Sequence, residues 1–369
     1  MMRMPDPPQS LPAVVAHADW GCDPRKRQVA TAVLAPEAGP ARYRVVSLAA
    51  APGGGRDERP GLFAELAGVA ELAGVAELAG VAGQGGAAGL AGVARPAGRA
   101  GTGTVLIGFD FTIGLPRAYA AAVGAESFPA FLTGLGSPPW QDFDRVAERP
   151  EEISLRRPFY PYRPGGTRRE QLYAGLGLSA AQLRRRCDGT DAETLFWTLG
   201  AKQAGKASLS GWRLLRQARA AGADIALWPF DGDLPALLAA GRQVTVAETY
   251  PREFYPRIGA PPRSRWSKRR QPDRLECLPA LLAWADSLGV SWDESIRRRA
   301  GAGFSAGPTG EDEFDAVVGM LGLISVVTGA VLAGAPPDDA AVLATEGWIL
   351  GRAASPATVS RKNRGLAQR

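Results

Sequence analysis

The sequence of 369 residues is 46% hydrophobic and 22% charged, which provides enough apolar side chains for a sizeable buried core. Its 43 Lys and Arg against 37 Asp and Glu leave a formal charge of +6, a modest excess that permits an anionic partner without requiring one. Cys22, Cys187 and Cys277 are too far apart in sequence for a thiolate zinc motif and argue against a disulfide framework. A reducing compartment is therefore expected.

Two segments bear on where the protein resides. Residues 1–11 contain Asp6 and three prolines instead of a basic segment followed by an apolar run, so a signal peptide is not predicted. Residues 316–337 carry no charge and are long enough to span a bilayer, but they contain four glycines and lack basic anchors. A buried helix that ends near Gly329 explains this run better. We expect a cytoplasmic protein without a membrane span.

The N-terminal part of the chain predicts an antiparallel meander. Three β-rich runs, residues 13–19, 28–34 and 43–48, are joined by short loops. Three tandem copies of Glu-Leu-Ala-Gly-Val-Ala and a Gly/Ala tract follow. Because a period of six matches neither a helix nor a strand, residues 53–103 are predicted to form a low-complexity surface loop or a frayed helix outside the core.

Beyond this tract, strands alternate with helices. Their predicted bounds are residues 104–111, 224–230 and 243–249 for the strands and about 274–288 and 311–328 for the helices. The arginine-rich stretch 117–221 is interpreted as a mainly helical insertion. Residues 10–116 and 222–352 would form the two halves of one core, followed by a disordered tail at 353–369. The predicted fold class is α/β, a mixed sheet with an opening meander, then parallel strands, and helices on both faces.

Carboxylates end three of the predicted strands. Asp19, Asp110 and Glu248 each stand at the C-terminal edge of an apolar strand, where open α/β sheets place their ligands. Asp312 and Asp315 are three residues apart at the start of the last helix, so they face the same way.

The same helical stripe continues through Gly319 and Gly322, which would let the helix lie close to the sheet. Carboxylates gathered in this way repel one another, and a divalent cation reverses the sign of that interaction. Hard oxygen ligands suit Mg²⁺ or Mn²⁺. Two such ions would activate water and stabilise the leaving oxygen in phosphodiester cleavage.

Simpler roles remain open for each acid. Asp312 follows Thr309 by three residues and could be the acidic partner of a helix capping box. Asp19 and Asp110 could each begin a turn, and Glu248 could pair with an arginine.

Four motifs resemble the bacterial family of predicted RNase H-like nucleases, known as domain of unknown function 429. They are Ala18-Asp19-Trp20-Gly21, Gly108-Phe109-Asp110-Phe111 with Gly114-Leu115-Pro116, Glu248-Thr249-Tyr250-Pro251, and Glu311-Asp312-Glu313-Phe314-Asp315-Ala316. The resemblance covers most of the chain apart from residues 53–103, and the last motif is similar to that of Holliday-junction resolvases. It implies a ribonuclease H-like fold, with Asp19, Asp110 and Asp315 as metal ligands and Asp312 and Glu248 as companions.

Basic residues predict an anionic partner, either a nucleic acid or another phosphodiester. Lys268, Arg269 and Arg270 form the densest basic run in the chain. Lys202 and Lys206 lie in a near match to a phosphate-binding loop that lacks the hydroxyl needed for Mg²⁺, because Ala207 follows. These five side chains are candidate phosphate contacts.

Two other functions fit the same pattern. The protein could bind nucleic acid without cleaving it, with Trp212 and Trp266 stacking on bases and Arg265 contacting phosphate. It could also be a phosphotransferase of the actin and sugar-kinase type, because Asp19-Trp20-Gly21 resembles the opening phosphate hairpin of that group.

Overall fold

The computed structural model describes residues 11–21, 23–35, 42–51, 61–79, 103–189, 192–200, 204–262, 265–334 and 339–353. Within these ranges the strands form one seven-stranded sheet. The strands are Val14–Asp19 (β1), Gln28–Leu34 (β2), Tyr43–Ala50 (β3), Val105–Phe109 (β4), Ile225–Leu227 (β5), Val244–Glu248 (β6) and Val290–Trp292 (β7). The tail predicted at 353–369 lies outside the described residues apart from its first residue.

The sheet is mixed, with the strand order β5-β6-β4-β1-β2-β3-β7. Neighbours β1, β2 and β3 run antiparallel, whereas β4 pairs parallel with β1, β6 with β4, and β5 with β6. The predicted meander followed by parallel strands is therefore confirmed. The short strand β7, which pairs parallel with β3, is an addition that was not predicted.

Helices cover both faces of this sheet. They are Gly61–Ala79 (α1), Arg117–Val123 (α2), Phe128–Gly134 (α3), Arg169–Leu176 (α4), Ala204–Ala220 (α5), Leu234–Ala239 (α6), Gln271–Ser287 (α7), Glu294–Gly301 (α8) and Pro308–Val327 (α9). Short 3-10 helices occur at Pro24–Lys26, Pro150–Glu152 and Pro251–Ile258, and a π-helix occurs at Val342–Glu346. Between α2 and α5 much of the chain is irregular, and packed aromatic rings hold it, as where Phe143 stacks on Trp212 at 6.0 Å.

Strand alternation divides the core into two layers. On β1, Val14, Ala16 and Ala18 enter the layer that contains α1 and α5 residues, whereas Val15 enters the layer built on α9. His17 and Asp19 share the second face with Val15. Alternate residues of each strand therefore point into opposite layers of the core.

Helix α1 corrects the expectation of a surface loop over residues 61–79. Leu62, Phe63, Leu66 and Ala70 are at most 3% exposed and belong to the core. Their spacing of three or four residues gives one apolar helical face, which the six-residue repeat obscures. Residues 53–60 and 80–102 of the predicted excursion lie outside the described part of the chain.

Helix α9 lies directly on the sheet because glycines remove side chains at the contact. A Cβ on Gly319 would come within 2.4 Å of the His17 ring, and one on Gly108 of β4 within 2.8 Å of Leu323. Gly322 faces Phe254 instead of a strand. Of the helices described, none combines the length and hydrophobicity that a membrane crossing requires.

Candidate metal centre

Two of the predicted acids meet at the C-terminal edge of β1 and β4. The parallel register pairs His17 with Gly108, so Asp19 and Asp110, two residues further on, lie side by side on the face covered by α9. The backbone N–H of Trp20 donates a hydrogen bond of 2.7 Å to Oδ1 of Asp110. The two carboxylates are held by the register of the strands and by this bond.

Asp19 is a buried residue whose carboxylate has no protein partner among the described residues. The residue is 7% exposed. Among the described residues its side chain makes neither a hydrogen bond nor an ion pair. Most polar groups in buried residues are hydrogen-bonded to protein or to ordered water, so this carboxylate is open to a cation or a water molecule.

Asp312 and Asp315 extend the cluster from the first turns of α9. The hydroxyl of Tyr255 donates to Oδ1 of Asp315 at 2.5 Å, and the ammonium group of Lys268 contacts Oδ2. Lys268 also lies 3.2 Å from Oε1 of Glu311. Oδ2 of Asp312 is buried and has no hydrogen-bond partner within the described residues.

The pKa values of these acids show how their environments differ. Burial raises the pKa of Asp19 well above its usual range, and the charges of Asp110 and Asp315 raise it further. Burial raises the pKa of Asp110 to about 6, against the effect of the Trp20 N–H. Burial also raises the pKa of Asp312 to about 7, opposed by Lys268. Each of the three carboxylates is costly to ionise without an added positive charge.

Two neighbouring groups differ in charge. Burial alone would lower the pKa of Lys268, but Asp315, Tyr255 and Asp19 raise it well above the usual range, so the group is an ammonium. His17 lies beneath Asp19 on the same face, and its Nε2 is 3.3 Å from the carbonyl of Thr249. Burial lowers the pKa of His17 to about 4, so at neutral pH the ring adds no positive charge.

Glu248 does not join the aspartates. It is fully buried and forms a two-pronged ion pair with Arg185, at 2.6 and 2.7 Å, while the N–H of Ile113 donates to Oε2 at 2.7 Å. The register pairs Glu248 with Phe109, so both side chains enter the layer that contains α1. Asp110 points to the other face. Glu248 is therefore not a companion of the metal ligands. It pairs with an arginine, which was the alternative role considered from the sequence.

The predicted phosphate contacts that the structure describes lie in two places, Lys206 on α5 and the run 268–270 near the start of α9. Lys202 lies outside the described residues, and Lys206 is partly buried on the first turn of α5. Arg269 is 3.3 Å from Glu311 with its side chain 72% exposed, and Arg270 is 2.6 Å from Asp273 with its side chain 58% exposed.

The two tryptophans expected to stack on bases are buried in the core. Trp212 and Trp266 are 1% and 4% exposed, and their indole N–H groups donate to backbone carbonyls. Stacking on these two rings is therefore excluded as a mode of nucleic-acid binding.

Sequence reasoning missed Tyr255 and the pairing of Lys268 with Asp315. Tyr255 follows β6 on the 3-10 helix Pro251–Ile258 and packs edge-to-face on Trp266 at 5.5 Å. The sequence did show the basic run 268–270. The position of this run opposite α9, however, depends on the tertiary fold.

The oxygen donors fit a hard divalent cation whose coordination shell is completed by other ligands. Among the residues described, no group of three or more His, Cys, Asp or Glu side chains converges closely enough to hold a metal ion. Mg²⁺ usually keeps several waters and takes one or two carboxylates together with phosphate oxygens of a substrate. Asp19 and Asp110 could provide that pair. Comparisons with family models, curated proteins and solved structures found no match.

Proposed function

We propose that the protein is a metal-dependent phosphodiester hydrolase that uses Mg²⁺ or Mn²⁺, with a nucleic acid as its substrate. The observation that carries this proposal is Asp19, a buried residue beside Asp110 whose carboxylate has no partner among the described residues. A structural aspartate in a turn or a cap would be expected to accept hydrogen bonds from nearby backbone N–H groups. Asp19 accepts none from the described residues.

Asp19 and Asp110 would hold the cation, with Asp312 and Asp315 beside them. A bound Mg²⁺ or Mn²⁺ would offset the repulsion between the carboxylates, attract the phosphate and activate water. The sheet contributes orientation, because both ligands end paired strands and do not depend on a loop.

Asp312 is the best-suited acceptor for the proton of the attacking water. Its Oδ2 has no partner among the described residues, and a pKa of about 7 matches a base that works near neutral pH. In the hydrolysis the water oxygen bonds to phosphorus and the bond from phosphorus to the ester oxygen breaks. The water proton passes to Asp312, and the leaving oxygen takes a proton from solvent.

A ribonuclease H-like fold is part of the same proposal. It is supported by the antiparallel β1-β2-β3 meander and by β4 and β6 running parallel to β1. The family resemblance of the motifs around Asp19, Asp110 and Asp315 supports it independently. A nucleic-acid substrate is favoured because the exposed Arg269 and Arg270 directly follow Lys268, which contacts the cluster.

The test is cleavage of labelled single- and double-stranded DNA and RNA by the full-length protein. We expect cleavage with Mn²⁺ or Mg²⁺, none with a chelator, and a loss of about 100-fold or more in Asp19→Asn. Glu65→Gln, on the exposed side of α1, is the control and should cleave like the wild type. Cleavage that survives both the chelator and Asp19→Asn would refute the proposal.

A further inference from the structure

Asp315 differs from the other aspartates of the cluster because both of its oxygens have protein partners. Tyr255 donates to Oδ1 at 2.5 Å, and Lys268 contacts Oδ2. Each oxygen keeps a second lone pair, but a metal ion bound at Oδ2 would lie against the ammonium group of Lys268, and the two positive charges would repel each other. Asp19 has both of its oxygens free of partners in the described chain, and Asp110 has one bonded to Trp20.

Lys268 is held in place by a built network and is not a loose surface side chain. Arg274, 1% exposed, donates to the carbonyls of Lys268 at 2.6 Å, Gly303 at 2.8 Å and Ser305 at 2.9 Å. It thereby joins the Lys268 segment to the loop that precedes α9.

The residues just before Lys268 are also fixed. The N–H of Ser267 donates to Oδ2 of Asp273 at 2.7 Å, and the indole of Trp266 donates to the Asp273 carbonyl at 2.7 Å. These contacts fix the backbone around Lys268, and its ammonium group is held by Asp315 and Glu311.

We infer that the centre takes a single divalent ion, held by Asp19 and Asp110, and that Lys268 on Asp315 supplies the second positive charge for the substrate phosphate. This inference rests on the proposed function and replaces the two-ion arrangement expected from sequence. It also gives Asp315 the role of positioning Lys268.

The chemistry of lysine suits this task. An ammonium group is a compact point charge with three donors, so it can keep its bond to Asp315 while donating to a non-bridging phosphate oxygen. Lys268 keeps its proton throughout, and the bonds made and broken at phosphorus are those of the hydrolysis given above. Its contribution is to stabilise the charge that develops on the phosphate oxygens.

The test is the number of Mn²⁺ ions bound per chain, measured by titration calorimetry on the full-length protein without substrate. We expect one ion for the wild type and two for Lys268→Met, because the substitution frees an oxygen of Asp315 for a second ion. Lys26→Met is the matched control, because Lys26 is exposed and its charge reaches Asp312 without contacting Asp315. It should bind one ion.

The outcomes separate this inference from the proposed function. Two ions on the wild type would overturn the role of Lys268 and leave the metal centre standing. No binding by the wild type would overturn both. One ion on both the wild type and Lys268→Met would show that Lys268 does not occupy a second cation position.

A second variant keeps the test decisive should Lys268→Met not fold. Asp315→Asn should still bind one Mn²⁺, because Asp315 is not a ligand in this arrangement, and its affinity should fall less than that of Asp110→Asn. Asp110→Asn should weaken the same binding by more than about tenfold. Loss of an ion in Asp315→Asn would refute the single-ion centre.

Discussion

The backbone N–H of Trp20 donates a 2.7 Å hydrogen bond to Oδ1 of Asp110, which ties the end of β1 to the end of β4. Trp20 follows Asp19 directly, so the turn that orients one carboxylate also fixes the other. The separation of the two acids is therefore determined by the sheet register. A site built on strand ends in this way is preorganised for a small ligand.

Removing the charge of Asp110 should stabilise the metal-free protein, and the gain should increase with pH. The folded-state pKa of about 6 lies above the value of about 4 expected in the unfolded chain. Between these values the folded protein binds the proton more tightly, so Asp110 lowers the free energy of unfolding as the pH rises through that window.

We therefore expect Asp110→Asn and wild type to be close at pH 4. At pH 7 the variant should be more stable by up to about 3 kcal/mol. Urea unfolding in the presence of a chelator measures the difference. The effect of His17 protonation on stability cancels in the comparison because both proteins contain this residue. A variant that is less stable at pH 7 would mean that Asp110 accepts stabilising bonds as a structural cap.

Gly319→Ala should disrupt the centre without touching a carboxylate. The added Cβ would come within 2.4 Å of the buried His17 ring, so α9 must shift on the sheet. We expect a loss of about 1–3 kcal/mol in stability and slower cleavage, because Asp312, the proposed proton acceptor, and Asp315, which holds Lys268, move with the helix. The matched control is Gly68→Ala on α1, where nothing lies within 4 Å, and there the change should be neutral or stabilising. Equal behaviour of the two variants would contradict the close packing.

Glu248→Gln should damage the fold and spare the metal site. Breaking the buried pair with Arg185 should cost about 3–5 kcal/mol, measured by urea unfolding. Glu294→Gln, in an exposed pair with Arg298, should change stability by less than about 0.5 kcal/mol. If Glu248→Gln folds normally but loses Mn²⁺ binding, Glu248 belongs to the centre after all.

Reversing the charge of Arg269 and Arg270 together should weaken binding of any nucleic acid and flatten its salt dependence. Both side chains are more than half exposed beside the cluster, and contacts to phosphate are independent of sequence. Filter binding at several salt concentrations measures both effects. The pair Arg297→Glu and Arg298→Glu on the exposed face of α8 is the control. Equal losses in the two double variants would assign the effect to net charge alone.

Much of the sheet could be predicted because its strands show alternating apolar residues or are apolar runs that end at turn residues. The predicted run 28–34 coincides with β2, and the runs that became β1, β4 and β6 differ by one or two residues at their ends. Strand β7, with three residues, is too short to produce a pattern. Helix α1 was misread because its repeat of six hides an apolar face that recurs every three or four residues.

The site itself could be predicted only in part. Alternation assigns residues to a face within one strand, but the relation between strands depends on register, which is why Glu248 was grouped with Asp110. The register pairs it with Phe109 instead. The contact of Lys268 with Asp315 spans 47 residues and depends on how the segment after β6 folds over α9, for which the sequence carries no periodic signal.

The most direct test of the metal centre is a calorimetric titration of Mn²⁺ into the wild type and Asp19→Asn. The substitution keeps the shape of the side chain and removes the charge of a carboxylate that makes no hydrogen bond or ion pair with the described residues. We expect saturable binding by the wild type and a loss of more than about tenfold in affinity for Asp19→Asn. Weak and equal binding by the two proteins would contradict the account, and the proposed hydrolase activity would fall with it.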